Sequence, residues 1–221
     1  MKQLMKRRER MGWMSLIGLV CLSSGWVYGQ KQTGGGVGVM AASGAVSQAV
    51  VSAPQGPNFS QMSRVDELRW RCHQLAAKKL DYRFGGANPD KGGLDCSATV
   101  QHILKEMGVN DVPRTSFTQY QWLAQKGGLK KIRFWSSPKK AYAKMKPGDL
   151  VFWGKTYRSG NKVTHVMIYL GQNPKTGRQY MFGARGSKSK GHHGAGVDVF
   201  EMNPNSKSKL VAYGPIPGIR E

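Results

Sequence analysis

The sequence predicts an α+β domain in which N-terminal helices pack on a central antiparallel β-sheet. Apolar residues recur at intervals of three and four through much of residues 64–128, which is the period of amphipathic helices. After Pro138 the chain changes to short β-branched and aromatic runs bounded by glycine, proline and asparagine, which is typical of strands. Helices followed by strands, without alternation, favour an α+β fold.

The N-terminus resembles a secretory signal peptide. A basic stretch is followed by the apolar, uncharged residues 11–29, with Val27 and Gly29 at the −3 and −1 positions of a possible cleavage site. We therefore predict a signal peptide over residues 1–29 and export to the periplasm or the extracellular cell wall. The alternatives are an uncleaved membrane anchor and a lipoprotein cysteine at Cys21.

Composition divides the remainder of the chain. Residues 30–63 are rich in glycine, alanine, serine and valine without a lasting period, which predicts a flexible linker before a domain at 64–221. The chain has 34 Lys+Arg against 12 Asp+Glu and a formal net charge of +22. Without residues 1–29, which hold five basic residues and one acidic residue, the charge would be +18. Because the chain is predicted to be exported, anionic cell-envelope polymers are the expected partners, and nucleic acid is not.

Three helices precede the strands. The first is expected to begin after Ser63, a candidate N-cap, and to end near Asp81. The second begins at or beside Cys96 and stops at Gly108, and the third lies within residues 115–128. Four strands are then predicted in the runs "GDLVFWG", "THVMIYLG", "RQYMFGA" and "GVDVFEM".

Cys96 is a candidate nucleophile because it stands at the start of a predicted helix. Unpaired N–H groups and the helix dipole favour a thiolate there, so the pKa of Cys96 is predicted to fall. An inert buried thiol and a disulfide with Cys72 are the alternatives. His165 opens a predicted central strand and would be a rigidly held base. No cysteine or histidine pair has zinc-ligand spacing except the adjacent His192 and His193, so no metal site is predicted.

Four stretches carry a family resemblance: "LDYRFGGANPDKGGLDCSATV", "VPRTSFTQYQ", "MKPGDLVFW" and "HVMIYLG". In order and spacing they resemble the NlpC/P60 cysteine peptidases, over roughly residues 64–202. The resemblance implies a compact papain-like fold and cleavage of peptidoglycan stem peptides, without a cofactor.

The resemblance also implies roles for individual residues. Cys96 would be the nucleophile and His165 the general base. Tyr82 would line the site and help to hold the oxyanion, together with the backbone N–H of Cys96. Asp95 and Ser97 resemble residues that bind the polar end of the stem peptide. Arg114 lies in a stretch that is more typical of a structural element or a groove edge.

The sequence departs from the family pattern at one position. Many members carry a third polar residue, on the strand after the base, that orients the imidazole. The matching positions here are Phe182 or Gly183, and neither side chain can hydrogen-bond a ring nitrogen. A backbone carbonyl, a water molecule or a loop group is left for this role, and His192 and His193 are weak candidates.

The functional prediction is a secreted, monomeric cysteine peptidase that hydrolyses amide bonds in peptidoglycan stem peptides. Two alternatives stay open from the sequence. One is a catalytically degenerate wall-binding module, and the other is an exported toxin amidase that acts on the walls of rival cells.

Overall fold

The computed structural model describes residues 57–133, 137–206 and 208–220. The predicted signal peptide and the predicted linker up to residue 56 lie outside the described residues. Within the described ranges, no helix combines the length and the hydropathy that a membrane span requires.

Helices dominate the first half of the described chain and strands the second half, as predicted. The helices are α1 (Arg64–Ala77), α2 (Cys96–Glu106), α3 (Ser116–Gln125) and α4 (Pro138–Tyr142), with short 3-10 turns at Phe59–Gln61 and Pro89–Lys91. The strands are β1 (Ala87–Asn88), β2 (Gly93–Leu94), β3 (Lys130–Lys131), β4 (Asp149–Gly154), β5 (His165–Gln172), β6 (Gln179–Arg185), β7 (Gly196–Glu201) and β8 (Lys209–Pro215).

A six-stranded antiparallel sheet in the order β3-β8-β4-β5-β6-β7 forms the centre of the domain. The four strands predicted from sequence are β4 to β7 in this sheet, and β5 lies between β4 and β6 as a central strand. The sequence did not reveal β8, which inserts between β3 and β4. Its partners are far away along the chain, so no local pattern could place it.

Helix α1 begins as predicted but ends early. The side chain of Ser63 accepts a hydrogen bond from the backbone N–H of Asp66. The helix ends at Ala77 rather than near Asp81, and Lys79 has a left-handed backbone with φ 53°. The carbonyl of Leu80 instead accepts a hydrogen bond from the N–H of Val197 at 2.8 Å. The residues after the helix are therefore bound to the edge of the sheet.

Helix α2 is the central element of the core. Its residues Val100, Ile103 and Leu104 are fully buried and share one cluster with Val166 and Ile168 of β5. Gly108, with φ 81°, follows the end of the helix, as predicted. The amphipathic face of α2 thus packs directly on the strand that begins with His165.

The opposite face of the sheet packs against a smaller cluster. Tyr142 at the end of α4 and the nearby Met145 contact the residues on that face, which include Trp153, Met167 and Met181. Side chains alternate between the two faces along a strand. His165 therefore lies on the same face as Met167, away from the helices.

A buried ion pair joins the C-terminus to β4. A guanidinium nitrogen of Arg220 lies 2.5 Å from a carboxylate oxygen of Asp149, and the side chains are 23% and 3% exposed. Burial raises the pKa of Asp149 despite this partner, because a charged carboxylate is poorly solvated there. The ion pair therefore offsets part of the free-energy cost of burying the charged carboxylate of Asp149.

We predict that Arg220→Ala lowers the free energy of unfolding by about 3 kcal/mol at pH 7, because it leaves the carboxylate buried without its partner. The loss should shrink toward pH 4, where the carboxyl group takes up a proton and no longer needs a counter-charge. Urea unfolding followed by circular dichroism measures both effects. Arg178→Ala, which breaks the exposed pair with Glu201, is the control and should cost less than about 1 kcal/mol. Equal losses in the two variants would contradict the prediction.

Candidate active site

Asp95 holds the N-terminus of α2. Its carboxylate accepts hydrogen bonds from the N–H of Ala98 at 2.8 Å and from the hydroxyl of Ser97 at 3.0 Å. Both oxygens also accept hydrogen bonds from the guanidinium of Arg114, at 3.0 and 2.8 Å. Arg114 donates further to the carbonyl of Gly86 at 2.9 Å. Asp95 and Arg114 therefore join the helix start, the preceding loop and the segment before α3.

Asp95 and Ser97 are both buried, and the hydrogen bonds of their side chains are internal to the described chain. Arg114 also donates to the hydroxyl of Ser97 at 3.0 Å. Their assignment as substrate-binding residues stays a prediction. What the geometry does establish is that they hold in place the helix turn that carries Cys96.

Cys96 is the first residue of α2 and is only 7% exposed. The backbone N–H groups of Val166, Ser97 and Cys96 itself favour the thiolate, whereas burial and the neighbouring Asp95 disfavour it. Burial is the largest effect and raises the pKa of Cys96 to about 11. The prediction of a lowered pKa was wrong, because the sulfur lies in the core. Cys72 is likewise a free, buried thiol, so the two cysteines form no disulfide.

The N–H of Val166 acts on the sulfur of Cys96, so Cys96 lies beside His165, the residue that precedes Val166. His165 pairs with Trp153 across the β4–β5 ladder, and the two rings lie 5.8 Å apart at their centroids. Burial, and then the charge of Arg185, lower the pKa of His165 to about 4, while Asp95 acts in the opposite direction. No hydrogen bond joins the imidazole to another of the described residues.

Of the two candidate positions for the third polar residue, only Gly183 lies on the sheet face that carries Met167. Phe182 is fully buried in the core that contains α2. Gly183 lies on the opposite face, where a Cβ atom would come within 2.9 Å of the Cγ of Met167. The Met167 side chain thus occupies the space into which a larger residue at 183 would extend.

His192 and His193 lie elsewhere. His193 Nδ1 is 3.0 Å from a carboxylate oxygen of Asp198, and the ring of His192 packs edge-to-face on Tyr180 at 5.3 Å. The structure does not bring either histidine to His165, and neither lines the cavity that His165 lines. Their predicted role as orienting groups gains no geometric support.

Tyr82 lines the same cavity as His165. Burial raises the pKa of Tyr82 to about 12, and the charges of Cys96 and Asp95 act in the same direction. The phenol therefore stays protonated at neutral pH and can donate a hydrogen bond. That property suits the predicted role at an oxyanion, which stays a prediction.

The cavity beside His165 has a volume of about 550 Å³. Its apolar lining comes from Tyr142, Trp153, Met167, Met181 and Met202, and its polar lining includes Thr156, Thr164, Ser189, Asn203, Ser206 and Ser208. Arg185 and Lys155 supply positive charge. In the part of the chain that the structure describes, no group of three or more histidine, cysteine or acidic side chains could hold a metal ion.

A family model described as NlpC/P60 matches residues 79–193, which is more than half of the chain. The chain belongs to the NlpC/P60 family. This membership confirms the resemblance inferred from the four sequence stretches.

Two curated relatives match part of this NlpC/P60 chain. The gamma-DL-glutamyl hydrolase of Bacillus subtilis is 32% identical over 92 residues, which are 42% of this chain and 18% of the relative. The murein DD-endopeptidase MepS/murein LD-carboxypeptidase of Escherichia coli is 32% identical over 96 residues, or 43% of this chain and 40% of the relative. The chain thus spans less than half the length of either relative. A solved NLP/P60-family structure from Staphylococcus aureus, described as similar to a lipoprotein, has a TM-score of 0.46 and 22% identity, covering 75% of this chain and 44% of the other.

Sequence reasoning missed two residues of this NlpC/P60 site. Gln119 is fully buried, and its amide donates to the carbonyls of Ser97 and Pro113, both at 2.9 Å. It therefore supports the turn that contains Cys96. Arg185 lines the cavity, and the signal that could have found it is its spacing of two from Gly183, which puts it on the same strand face.

We predict that iodoacetamide labels Cys96 slowly at pH 7, because with a pKa of about 11 roughly one site in ten thousand is thiolate. The labelling rate should still be rising above pH 9. Mass spectrometry of the peptide that contains Cys96 measures it. Cys72, which is fully buried, should stay unlabelled in the folded protein. A rate that reaches its plateau below pH 8 would contradict the burial argument.

Proposed function

We propose that the chain is an exported cysteine endopeptidase that hydrolyses amide bonds in peptidoglycan stem peptides, with Cys96 as nucleophile and His165 as general base. The observation that carries the proposal is that the backbone N–H of Val166 lies close enough to the sulfur of Cys96 to favour its thiolate. This proximity brings a thiol at a helix start beside the residue that follows a histidine at a strand start.

Family membership and the named relatives give the substrate class. The E. coli relative is named as a murein endopeptidase and carboxypeptidase, and the B. subtilis relative as a gamma-DL-glutamyl hydrolase. One name describes hydrolysis of murein, and the other describes a gamma-DL-glutamyl hydrolase. The cavity beside His165 is large enough for part of a stem peptide.

The acylation step follows from the neutral state of both groups. Because burial disfavours the thiolate and the imidazolium, the resting pair is a thiol and a neutral imidazole. His165 takes the thiol proton as the sulfur attacks the amide carbon. The carbonyl oxygen becomes an oxyanion, for which the backbone N–H of Cys96 and the hydroxyl of Tyr82 are the proposed donors.

The same histidine completes the cycle. Protonated His165 gives its proton to the amide nitrogen, the C–N bond breaks, and the amine leaves while the acyl group stays on Cys96. His165 then takes a proton from water, which attacks the thioester carbon. The carboxylic acid product leaves, and the proton returns to the sulfur.

Charge and export complete the proposal. The signal peptide predicted over residues 1–29 would deliver the chain to the cell envelope. The charge of +18 that the chain would have without residues 1–29 would then favour anionic envelope polymers as neighbours of the peptidoglycan substrate.

A wall-binding module without activity is the second candidate, and one observation favours it. The side chain of Met167 occupies the space into which a larger residue at Gly183 would extend, and no hydrogen bond joins the imidazole of His165 to another of the described residues. Such a module would bind sacculi in a salt-sensitive way without releasing peptides.

Digestion of purified sacculi tests the proposal. Wild-type protein should release cleaved stem peptides, which mass spectrometry identifies together with the bond that is cut. Cys96→Ala should release nothing above the blank, because the attacking atom is gone. His165→Ala should lose roughly 10²–10⁴-fold in rate, the range typical of a general acid–base.

Cys72→Ala is the matched control, because it removes the other described thiol from a position on α1 outside the site. It should keep wild-type activity, with folding checked by thermal unfolding. Full release by Cys96→Ala would overturn the mechanism. Binding of all variants without release would support the second candidate.

A further inference from the structure

The cavity beside His165 contains a cation that the proposed mechanism does not use. Arg185 is the last residue of β6 and is partly buried, and burial lowers the pKa of its guanidinium. Its guanidinium carbon lies 5.3 Å from the ring centroid of Phe200. This cation–π contact holds the charge on the sheet face of the cavity. Among the described residues, no carboxylate pairs with Arg185 within 4 Å.

The cavity as a whole suits an anion. Lys155 is a second cation in its lining, and none of the described residues that line it is acidic. The apolar part offers room for an aliphatic body, and the hydroxyl groups offer further hydrogen bonds. A guanidinium binds planar carboxylates through two parallel hydrogen bonds, which makes it well suited to a carboxylate ligand.

The geometry also indicates which part of a substrate enters the cavity. His165 lines the cavity, whereas Cys96 is not among the residues that line it. In amide cleavage the acyl part becomes attached to the sulfur, and the amine part accepts its proton from the imidazole. We assign the fragment beside His165 to the leaving amine, because the imidazole gives its proton to the amine nitrogen.

We propose that Arg185 binds a carboxylate on the leaving amine fragment, so that the enzyme selects stem peptides whose leaving fragment is anionic close to the cleaved bond. This inference rests on the proposed function and specifies which stem peptides the enzyme would select. Arg185 is a specificity-determining residue in this arrangement.

Binding of the carboxylate has a second consequence for the base. The charge of Arg185 is one of the two causes that lower the pKa of His165. A bound carboxylate would neutralise that charge and make the imidazole a stronger base. A substrate with this carboxylate would therefore raise the basicity of His165, which has no polar side chain at Gly183 beside it.

Two matched peptides test the proposal. Both contain the bond identified in the sacculus digest, and they differ only in a free carboxylate or a carboxamide on the residue at the amine side. We expect wild-type kcat/KM to be about ten- to hundred-fold higher for the carboxylate peptide, the range of one charged hydrogen-bonded pair. In Arg185→Gln the ratio should fall close to one, and in Arg185→Lys it should be intermediate.

Two further variants test whether the effect on the ratio of the two peptides is specific to Arg185. Arg178→Gln removes an exposed guanidinium near the start of β6, outside the cavity, and should keep the wild-type ratio. Lys155→Gln removes the other cavity cation and should change the ratio less than Arg185→Gln does. A wild-type ratio near one, an unchanged ratio in Arg185→Gln, or a ratio lost only in Lys155→Gln would overturn the assignment.

A binding measurement separates this inference from the proposed function. Calorimetry with Cys96→Ala protein should show tighter binding of the carboxylate peptide, and Cys96→Ala/Arg185→Gln should bind the two peptides equally. If wild-type protein cleaves neither peptide, the proposed function fails and the calorimetry alone decides the role of Arg185. If both are cleaved but no variant changes the ratio, only the role of Arg185 fails.

Discussion

The carboxylate of Asp95 is the group on which the geometry of the site depends. It caps the helix that begins with Cys96, and it is held by Arg114 through two hydrogen bonds. Replacing an N-cap alone typically costs about 1 kcal/mol, and removing one partner of a buried ion pair costs more. Because Arg114 also reaches the carbonyl of Gly86, the loop before the helix cannot shift independently of the helix. The position of the sulfur is thus set by an ion pair rather than by the cysteine itself.

Strand β5 divides the molecule into two environments. Val166 and Ile168 belong to the core with the helices, whereas Met167 belongs to the cluster on the other face. His165 is the first residue of the strand and lies on the face of Met167, and the N–H of the next residue, Val166, acts on the sulfur of Cys96 from the helix side. The nucleophile therefore comes from the helix side and the base from the cavity side. The two side chains therefore lie on opposite faces of the sheet. Burial is the largest cause of the raised pKa of Cys96 and of the lowered pKa of His165.

The charged residues near the site act on the protonation of Cys96 and His165. Asp95 favours a protonated His165 but disfavours a thiolate at Cys96, and Arg185 disfavours the protonated imidazole. The charges fixed in the fold therefore do not stabilise a thiolate–imidazolium pair before substrate is bound. Met167 occupies the space beside Gly183, and among the described residues no side chain hydrogen-bonds the imidazole of His165.

Local sequence determined the elements whose causes are local. The cap at Ser63, the stop at Gly108 and the start of α2 at Cys96 depend on groups within a few positions along the chain, so they could be predicted. The motif order likewise predicted the family, which the family match confirmed. Only the tertiary structure decided the placement of β8, the burial that reverses the expected pKa shift of Cys96, and the approach of Arg185 to His165. Each of these depends on solvent exclusion and charge between residues that are distant in sequence, which no local pattern records.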